Sequence, residues 1–557
     1  MKSEKRQNFL TGAAILSLST IVVKVIGMFY KIPLKRLIGD ANYGYFSTAY
    51  EIYALLLTIS LTGLPVAMSR MISEARALNN GQQVRRVFRT AMYTYLAMGL
   101  VGAGVMMLFS RQLATNLMSN PGASYSILAL GPAVFFISIA SACRGFFQGQ
   151  GNMVPTAISQ IIEAICKLVL GLLFAWIVIR LMGVGPLVSG ATILGITVGA
   201  ALAALYLLIA RRRAARGLED LGGTPKSYSS TLKTLLAIAV PITIGAAGFQ
   251  FINVVDSATI MSQMLNAAEK VEPGSMGVMA RLMELAREQA ISNNLAQDAA
   301  DIAKGVYNYC QTIFNLPLAF IPNITAAIIP AITSHLTLKN HRGAASVQNS
   351  SLRIMGLIAM PCTIGMLVLS KPIIAILGGY EGDLLSIAAI LLGSLSLTIL
   401  VTSISNMASA IMQAHGHVII PVVNTIIGGI MKVAFNYILV GNPDIAILGA
   451  PVGTFLCFFT IMVLNLFAMR RVLKDPPKLM PNIWRSGLAA LCMGLVAYVA
   501  YALLSRVLSG WVLPCFGAIA LAVVVYVILA VAFKAITYED CLLLPKGEKI
   551  AKILKIH

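Results

Sequence analysis

Residues 144–171 read RGFFQGQGNMVPTAISQIIEAICKLVLG, and residues 411–439 read IMQAHGHVIIPVVNTIIGGIMKVAFNYIL. Laid over each other, they match at Gln148 and Gln413, Gly151 and Gly416, and Lys167 and Lys432, each pair 265 positions apart. The same offset joins Pro65 to Pro330 and Ser69 to Ser334. Both lysines sit inside long apolar runs, where a cation is costly and normally faces a partner or a polar cavity. A chain that copies its apolar runs together with a lysine reads as a two-lobed transporter with a polar cavity between the lobes.

The composition around these blocks is that of a membrane protein. The 557 residues are 58% hydrophobic and 11% charged, with a mean hydropathy of +0.82. Soluble domains carry about 25% charged residues. The net charge of +21 does not point to nucleic acid, because the basic residues stand in short connections between apolar runs. Eight cysteines show no metal-type spacing, which argues against a zinc site and against a disulfide framework. The basic start resembles a signal peptide. No small-residue cleavage site follows, and the run continues to about Tyr30, so it is read as an uncleaved first helix.

Spans of about 20 apolar residues fall near 9–33, 45–68, 90–110, 122–143, 154–179, 186–210, 233–261, 306–332, 352–376, 384–412, 419–440, 446–469, 486–506 and 511–533. The sequence therefore predicts an all-α integral membrane protein with fourteen transmembrane helices. With the N-terminus inside, the inner connections hold 28 of the 42 Lys and Arg residues, an asymmetry that places both termini in the cytoplasm. The expected division is an N-terminal lobe of six helices (1–215), a cytoplasmic linker (216–232) and a C-terminal lobe of six helices (233–472). Two extra helices (485–536) and a cytoplasmic tail (537–557) follow. Six helices per half make the repeat parallel rather than inverted. The long outer loop 263–304 contains MGVMARLMELAREQA, which reads as a short amphipathic surface helix.

Charged and polar residues within the spans are the functional candidates. Lys24, Lys31 and Lys35 share one stripe of the first span, interrupted by Pro33. A row of ammonium groups suits an anionic substrate such as a phosphate or pyrophosphate. Snorkelling to headgroups accounts equally well for Lys31, Lys35 and Arg36, whereas Lys24 lies too deep for it. Glu51, among Tyr43, Tyr45, Tyr50 and Tyr53, needs a partner, and the lysines of the first span are the nearest in sequence. It either tunes them or forms a structural ion pair. Glu163 and Lys167 are four apart in the favourable order for an intrahelical pair. Lys432 has Gly428 at the equivalent place, and Asp256 is a candidate counter-ion from elsewhere. Asn308, Gln311 and Asn315 fall on one face as an uncharged polar lining, and His415 and His417 read as solvated. No nucleotide loop, catalytic carboxylate pair or nucleophile motif is present, so an enzyme is not expected.

The blocks 144–171 and 411–439, with GLPVAMSRMISEA (63–75), resemble the polysaccharide-transporter branch of the multidrug/oligosaccharidyl-lipid/polysaccharide (MOP) exporter superfamily. They look closest to the stage V sporulation protein B group, related to the MurJ lipid II flippases. The resemblance implies two six-helix lobes around a cationic cavity, a further helix pair that grooves a lipid tail, and outward flipping of undecaprenyl-pyrophosphate-linked sugars. In the family a basic residue precedes a helix 1 glycine by three, and Lys24-Val25-Ile26-Gly27 matches with lysine for arginine; Lys31 fits the next basic position with a one-residue shift. The Asp-Arg-x-x-Glu-Phe-Pro-Leu pattern of Gram-negative flippases is Gln311-Thr312-Ile313-Phe314-Asn315-Leu316-Pro317-Leu318 here, without its three charges. Sodium-binding relatives suggest Asp256, Asn436 and Thr454 as coupling-ion ligands, although the Lys432 ammonium, one turn before Asn436, could occupy such a site itself.

The expected function is a lipid flippase for cell-wall or polysaccharide precursors. Its substrate-binding candidates are Lys24, Lys31, Glu51, Arg144, Lys167, Gln311, Asn315 and Lys432. No cofactor or metal is expected; membrane potential, protons or sodium would drive the cycle. The expected partners are a lipid-linked oligosaccharide with its pyrophosphate, membrane lipids and cell-wall synthesis enzymes, with no nucleic acid, and a monomer suffices. The alternatives are a drug or cation antiporter of the same superfamily and a non-transporting scaffold of an envelope-synthesis complex.

Overall fold

The computed structural model describes residues 2–216, 222–289, 294–319 and 321–537. Among these, every regular element is a helix. In chain order they are α1 (Lys2–Leu61), α2 (Gly63–Ala77), α3 (Gly81–Leu108), α4 (Ser124–Gly149), α5 (Val154–Met182), α6 (Pro186–Arg216), α7 (Tyr228–Glu269), α8 (Val278–Gln289) and α9 (Leu295–Leu318). There follow α10 (Ile321–Thr337), α11 (His341–Val368), α12 (Ser370–Gly378), α13 (Gly382–Ala414), α14 (Ile419–Leu439), α15 (Gly449–Val472), α16 (Leu479–Val507) and α17 (Val512–Ala532).

Eleven of the described helical runs are long and apolar enough to cross a membrane, against fourteen expected spans. The first two expected spans merge into one run, Val22–Ala77. Within it, Gly39 leaves helical geometry at φ 79 and ψ 173, a conformation open to a residue without Cβ. The seventh and eighth expected spans run over residues whose side chains lie outside those described and are not among the eleven runs. α7 contributes only the shorter apolar stretch Tyr228–Ile244, and α9 carries Asp298, Asp301, Lys304, Asn308 and Gln311 within its length.

The outer loop 263–304 is a loop only in part. α7 runs on to Glu269, α8 forms where the amphipathic segment was expected, and α9 begins at Leu295. Met279, Leu282 and Ala286 bury one face of α8, as its helical spacing requires. The amide of Met279 donates to the Pro443 carbonyl at 3.0 Å.

The chain divides into two compact units, Met1–Leu265 with Leu282–Gly305, and Asn266–Arg281 with Val306–His557. In the first, α3, α4, α6 and α2 bury a core of Leu64, Met68, Val84, Phe88, Tyr95 and Phe146, with α7 adding Leu235 and Ala239. In the second, α10, α11, α13 and α15 bury Ile332, Leu352, Met407, Ile411 and Met469. A separate cluster joins α16 and α17 through Met493, Ala497, Ala518 and Ala522.

Each unit contains the same two turns. Asn79 and Lys339 are left-handed at φ 52 and 55. The asparagine that follows each caps the next helix, Asn80 accepting from the Gln83 amide at 2.8 Å and Asn340 from the Gly343 amide at 2.9 Å. Gly151 and Gly416 are left-handed at φ 77 and 86, and their amides donate to Gln148 and Gln413 carbonyls, each at 3.0 Å. The glycine turns are a pair of the 265-residue offset, and the asparagine turns stand 260 residues apart.

Candidate functional site

The first unit gathers its aromatic and basic side chains around the break in α1. Tyr30 lies before Gly39 and Phe46 after it, yet their ring centroids are 6.2 Å apart; a straight helix would set them roughly 24 Å apart. The column continues through Phe46–Tyr50 at 6.1 Å and Tyr50–Tyr53 at 5.5 Å. From α5, the Lys167 ammonium reaches this wall, 4.8 Å from the Tyr50 ring and 5.4 Å from the Tyr30 ring. That is cation–π range. Lys31 is close enough for the two ammonium groups to feel each other's charge.

Glu163 is bonded to Arg144 and reaches Lys167 only through its field. Its carboxylate accepts from Arg144 Nη2 at 3.1 Å, while Arg144 Nε donates to Ser159 Oγ at 3.0 Å. Arg144 and Glu163 side chains are 11% and 25% exposed. The intrahelical pair is therefore replaced by an interhelical one, because a guanidinium offers a planar array of donors that lysine lacks. Lys167 makes no ion pair among the described residues.

The expected lysine row on α1 is also broken up. Lys24 is exposed, Lys31 is half-buried, and Lys35 is buried. Lys35 pairs with Asp40 at 3.4 Å, tied into the Gly39 break. Arg36 is exposed.

A second charged group was assigned to a loop by its sequence position. Lys304 on α9 is 1% exposed, and its ammonium donates to the Ser257 carbonyl of α7 at 3.4 Å. Glu51, Asp301 and Asp256 all act on it electrostatically. Glu51 and Asp256 thus share a lysine that the sequence reading did not select. The signal was present, since Asp301 and Lys304 continue the stripe of Asn308, Gln311 and Asn315 at helical spacing. Along that stripe burial falls off: Asn308 is buried, Gln311 half-buried and Asn315 exposed.

In the second unit, Lys432 is 7% exposed, Asn436 0% and Thr454 3%. A Cβ on Gly453 would run into Asn436 Oδ1 and come 3.5 Å from the Lys432 carbonyl, which places α14 and α15 in close contact there. Thr454 Oγ1 is 3.2 Å from the Tyr307 hydroxyl and donates to the Ala450 carbonyl at 3.0 Å. Gly428 stands where the repeat has Glu163, because a Cβ there would collide with Ile461 of α15. His415 is not simply solvated: it is half-buried, 2.9 Å from the Ile411 carbonyl through Nδ1 and 3.4 Å from Gln348 through Nε2. An apolar cavity of about 350 Å³, lined by Pro317, Pro361, Leu369, Met493, Ala497 and Ile519 among others, lies against α16 and α17.

A family model described as "Polysaccharide biosynthesis protein" matches residues 9–335, more than half of the chain. The chain belongs to this polysaccharide biosynthesis protein family. A second model, "Lipid II flippase MurJ", matches residues 276–522. The chain is similar to stage V sporulation protein B of Bacillus subtilis (strain 168), 22% identical over 547 residues, covering 97% of this chain and 98% of that protein. It is 24% identical over 460 residues to the lipid II flippase MurJ of the same organism, covering 80% of each. Among solved structures, a lipid II flippase MurJ in an inward closed conformation superposes with a TM-score of 0.66 at 14% identity, covering 95% of this chain and 100% of that one. An inward-facing multidrug resistance MATE family transporter of the MOP superfamily gives 0.63 at 14% identity, covering 82% and 97%. This family member is a multi-pass membrane protein with the fold of MOP-superfamily transporters.

Proposed function

We propose that this protein translocates an undecaprenyl-pyrophosphate-linked precursor of cell wall or polysaccharide from the inner to the outer leaflet by alternating access. The observation that carries the reading is the cluster of Lys167 and Lys31 against the Tyr30–Tyr50 wall. An ammonium whose neighbouring carboxylate is already bonded to a guanidinium offers its field to an incoming anion, and a polar cavity strengthens that field over bulk water. A pyrophosphate is the anion that relatives named lipid II flippase suggest. The apolar cavity beside α16 and α17 has the chemistry to take the polyprenyl tail.

The topology that goes with this function has fourteen transmembrane helices, with α16 and α17 as the last two. They would form two six-helix lobes in parallel repeat plus that pair, both termini in the cytoplasm. The matched Asn80/Asn340 and Gly151/Gly416 turns support the repeat, and the basic residues of alternate connections support the orientation. Gln311 and Asn315 would line the sugar path. Sodium coupling through Asp256, Asn436 and Thr454 is the weakest part of the scheme, since Lys304 stands beside Asp256 and Lys432 lies one turn from Asn436.

The test is translocation of fluorescent lipid II by the purified full chain in proteoliposomes. The wild type should move the lipid, and Lys31→Gln with Lys167→Gln should stop it while both proteins insert equally. No movement by the wild type, or an undiminished rate in the double variant, would sink the reading. Lys24→Ala complementing as well as wild type would remove Lys24 from the substrate path.

A further inference from the structure

Asp301 and Lys304 are each 1% exposed, at the start of α9 and outside the runs that qualify as membrane spans. Both carboxylate oxygens of Asp301 are engaged. Oδ2 accepts from the Tyr45 hydroxyl of α1 at 2.9 Å, and Oδ1 accepts from Gln297 Nε2 at 3.2 Å. The Gln297 amide also donates to the Ser119 carbonyl at 3.4 Å. The backbones are pressed together as well. A Cβ on Gly44 would lie 3.0 Å from the Asp301 carbonyl, and one on Gly305 would run into the Asp40 carbonyl. The first turns of α9 are thus seated on the segment of α1 that departs from helical geometry at Gly39.

We propose that Asp301 is a proton-exchanging carboxyl whose charge state decides whether α9 stays latched to the broken segment of α1, giving the cycle a proton-linked step. The latch depends on the fold alone; its link to translocation rests on the flippase reading above. An ionised Asp301 accepts from both donors and attracts Lys304. Once protonated, it keeps both contacts, its O–H donating to the Tyr45 oxygen while the other oxygen accepts from Gln297, and it no longer holds a charge away from water. The charged and titratable groups around it are Tyr45 and the Lys35–Asp40 pair on α1, Asp298 and Lys304 on α9, and, through Lys304, Glu51 and Asp256.

Burial raises the Asp301 pKa to about 7, a push that Asp298 augments and that Tyr45, Gln297 and Lys304 only partly offset. Proton exchange then falls in the range where a modest change of pH switches the group. The sign follows: a carboxyl whose seat raises its pKa binds its proton more tightly there than in water, so the latch is firmest below that pKa and loosens as pH rises through it.

Hydrogen–deuterium exchange on the full-length protein reads the latch directly. Wild type and Asp301→Asn are compared about a unit below and about a unit above the pKa of 7, with intrinsic rates corrected. Above it, wild-type amides of α9 and of the Gly39–Tyr45 segment should exchange several-fold faster than those of the variant, which carries no buried charge; below it, the two should converge. A wild-type to variant ratio that does not change with pH overturns the proposal. So does sodium at fixed pH giving the same protection as lowering the pH. Tyr45→Phe keeps the ring and the charge, removes a donor that holds the Asp301 pKa down, should move the loosening to higher pH, and carries the test if Asp301→Asn does not fold. In proteoliposomes, the pH dependence of lipid II translocation should flatten in Asp301→Asn. An unflattened profile beside an intact exchange result removes the coupling. A wild type that moves no lipid overturns the flippase reading and leaves the latch standing.

Discussion

Lys167 and Glu163 are one helical turn apart, and the structure gives them different work. Glu163 holds Arg144, and Lys167 stands over two tyrosine rings. Their substitutions should therefore separate. Glu163→Gln strips a partly buried guanidinium of its charged acceptor, a loss of about 2 kcal/mol, and should lower the unfolding temperature in detergent. Lys167→Gln removes a cation–π contact worth about 1 kcal/mol and no direct ion pair, but should abolish lipid II translocation. Thermal unfolding and the proteoliposome assay on both variants check this. Equal destabilisation with equal loss of transport would restore the intrahelical pair that the spacing suggested.

Lys304 and Asp301 could have been found in the sequence and were not. Their helical spacing to Asn308 was legible, but charges near the end of an apolar run read as loop when only hydropathy sets the boundary. Arg144 was legible as a candidate, although its partner was not, since nothing in the local pattern brings α4 to α5.

At the scale of elements, close backbone approach decides which positions tolerate a side chain. α9 rests on α1 at Gly305, where a methyl group would meet the Asp40 carbonyl, a backbone atom with no rotamer to adopt. Gly428 faces the side chain of Ile461 first, which can turn aside, and the Cys457 carbonyl only at 3.0 Å. Gly305→Ala should cost roughly 1–3 kcal/mol, and Gly428→Ala less. Thermal unfolding of the two variants side by side tests the order; a more stable Gly305→Ala would show that the α1 break yields easily. The same contact explains the broken symmetry of the repeat. A glutamate at 428 would have nowhere to put its side chain, so the second block keeps the lysine without the acid.

For the whole molecule, the proposed substrate would be an amphiphile, with one charged and one greasy end. The basic, aromatic-walled cluster belongs to the first unit, and the apolar cavity of about 350 Å³ to the second. If the cavity takes the polyprenyl tail, Ala497→Trp, which fills it, should lose translocation of full-length lipid II while a short-chain analogue still moves. Equal loss with both chain lengths would mean that the substitution damages the fold rather than the tail site.

The sequence by itself determined that this chain lives in a membrane, that it is helical throughout its spans, and that two stretches repeat down to the left-handed Gly151 and Gly416 turns. Hydropathy, helical period and turn chemistry are sums over near neighbours in the chain, so they can be read without a fold. Tertiary structure alone decided who partners whom: Arg144 with Glu163, Lys167 with Tyr30 and Tyr50, Asp301 with Tyr45. Electrostatic and hydrogen-bond energies depend on distances of a few ångströms, and across helices those distances are set by packing. A lysine could be seen to be out of place in an apolar run; what it touches depended on the bend at Gly39.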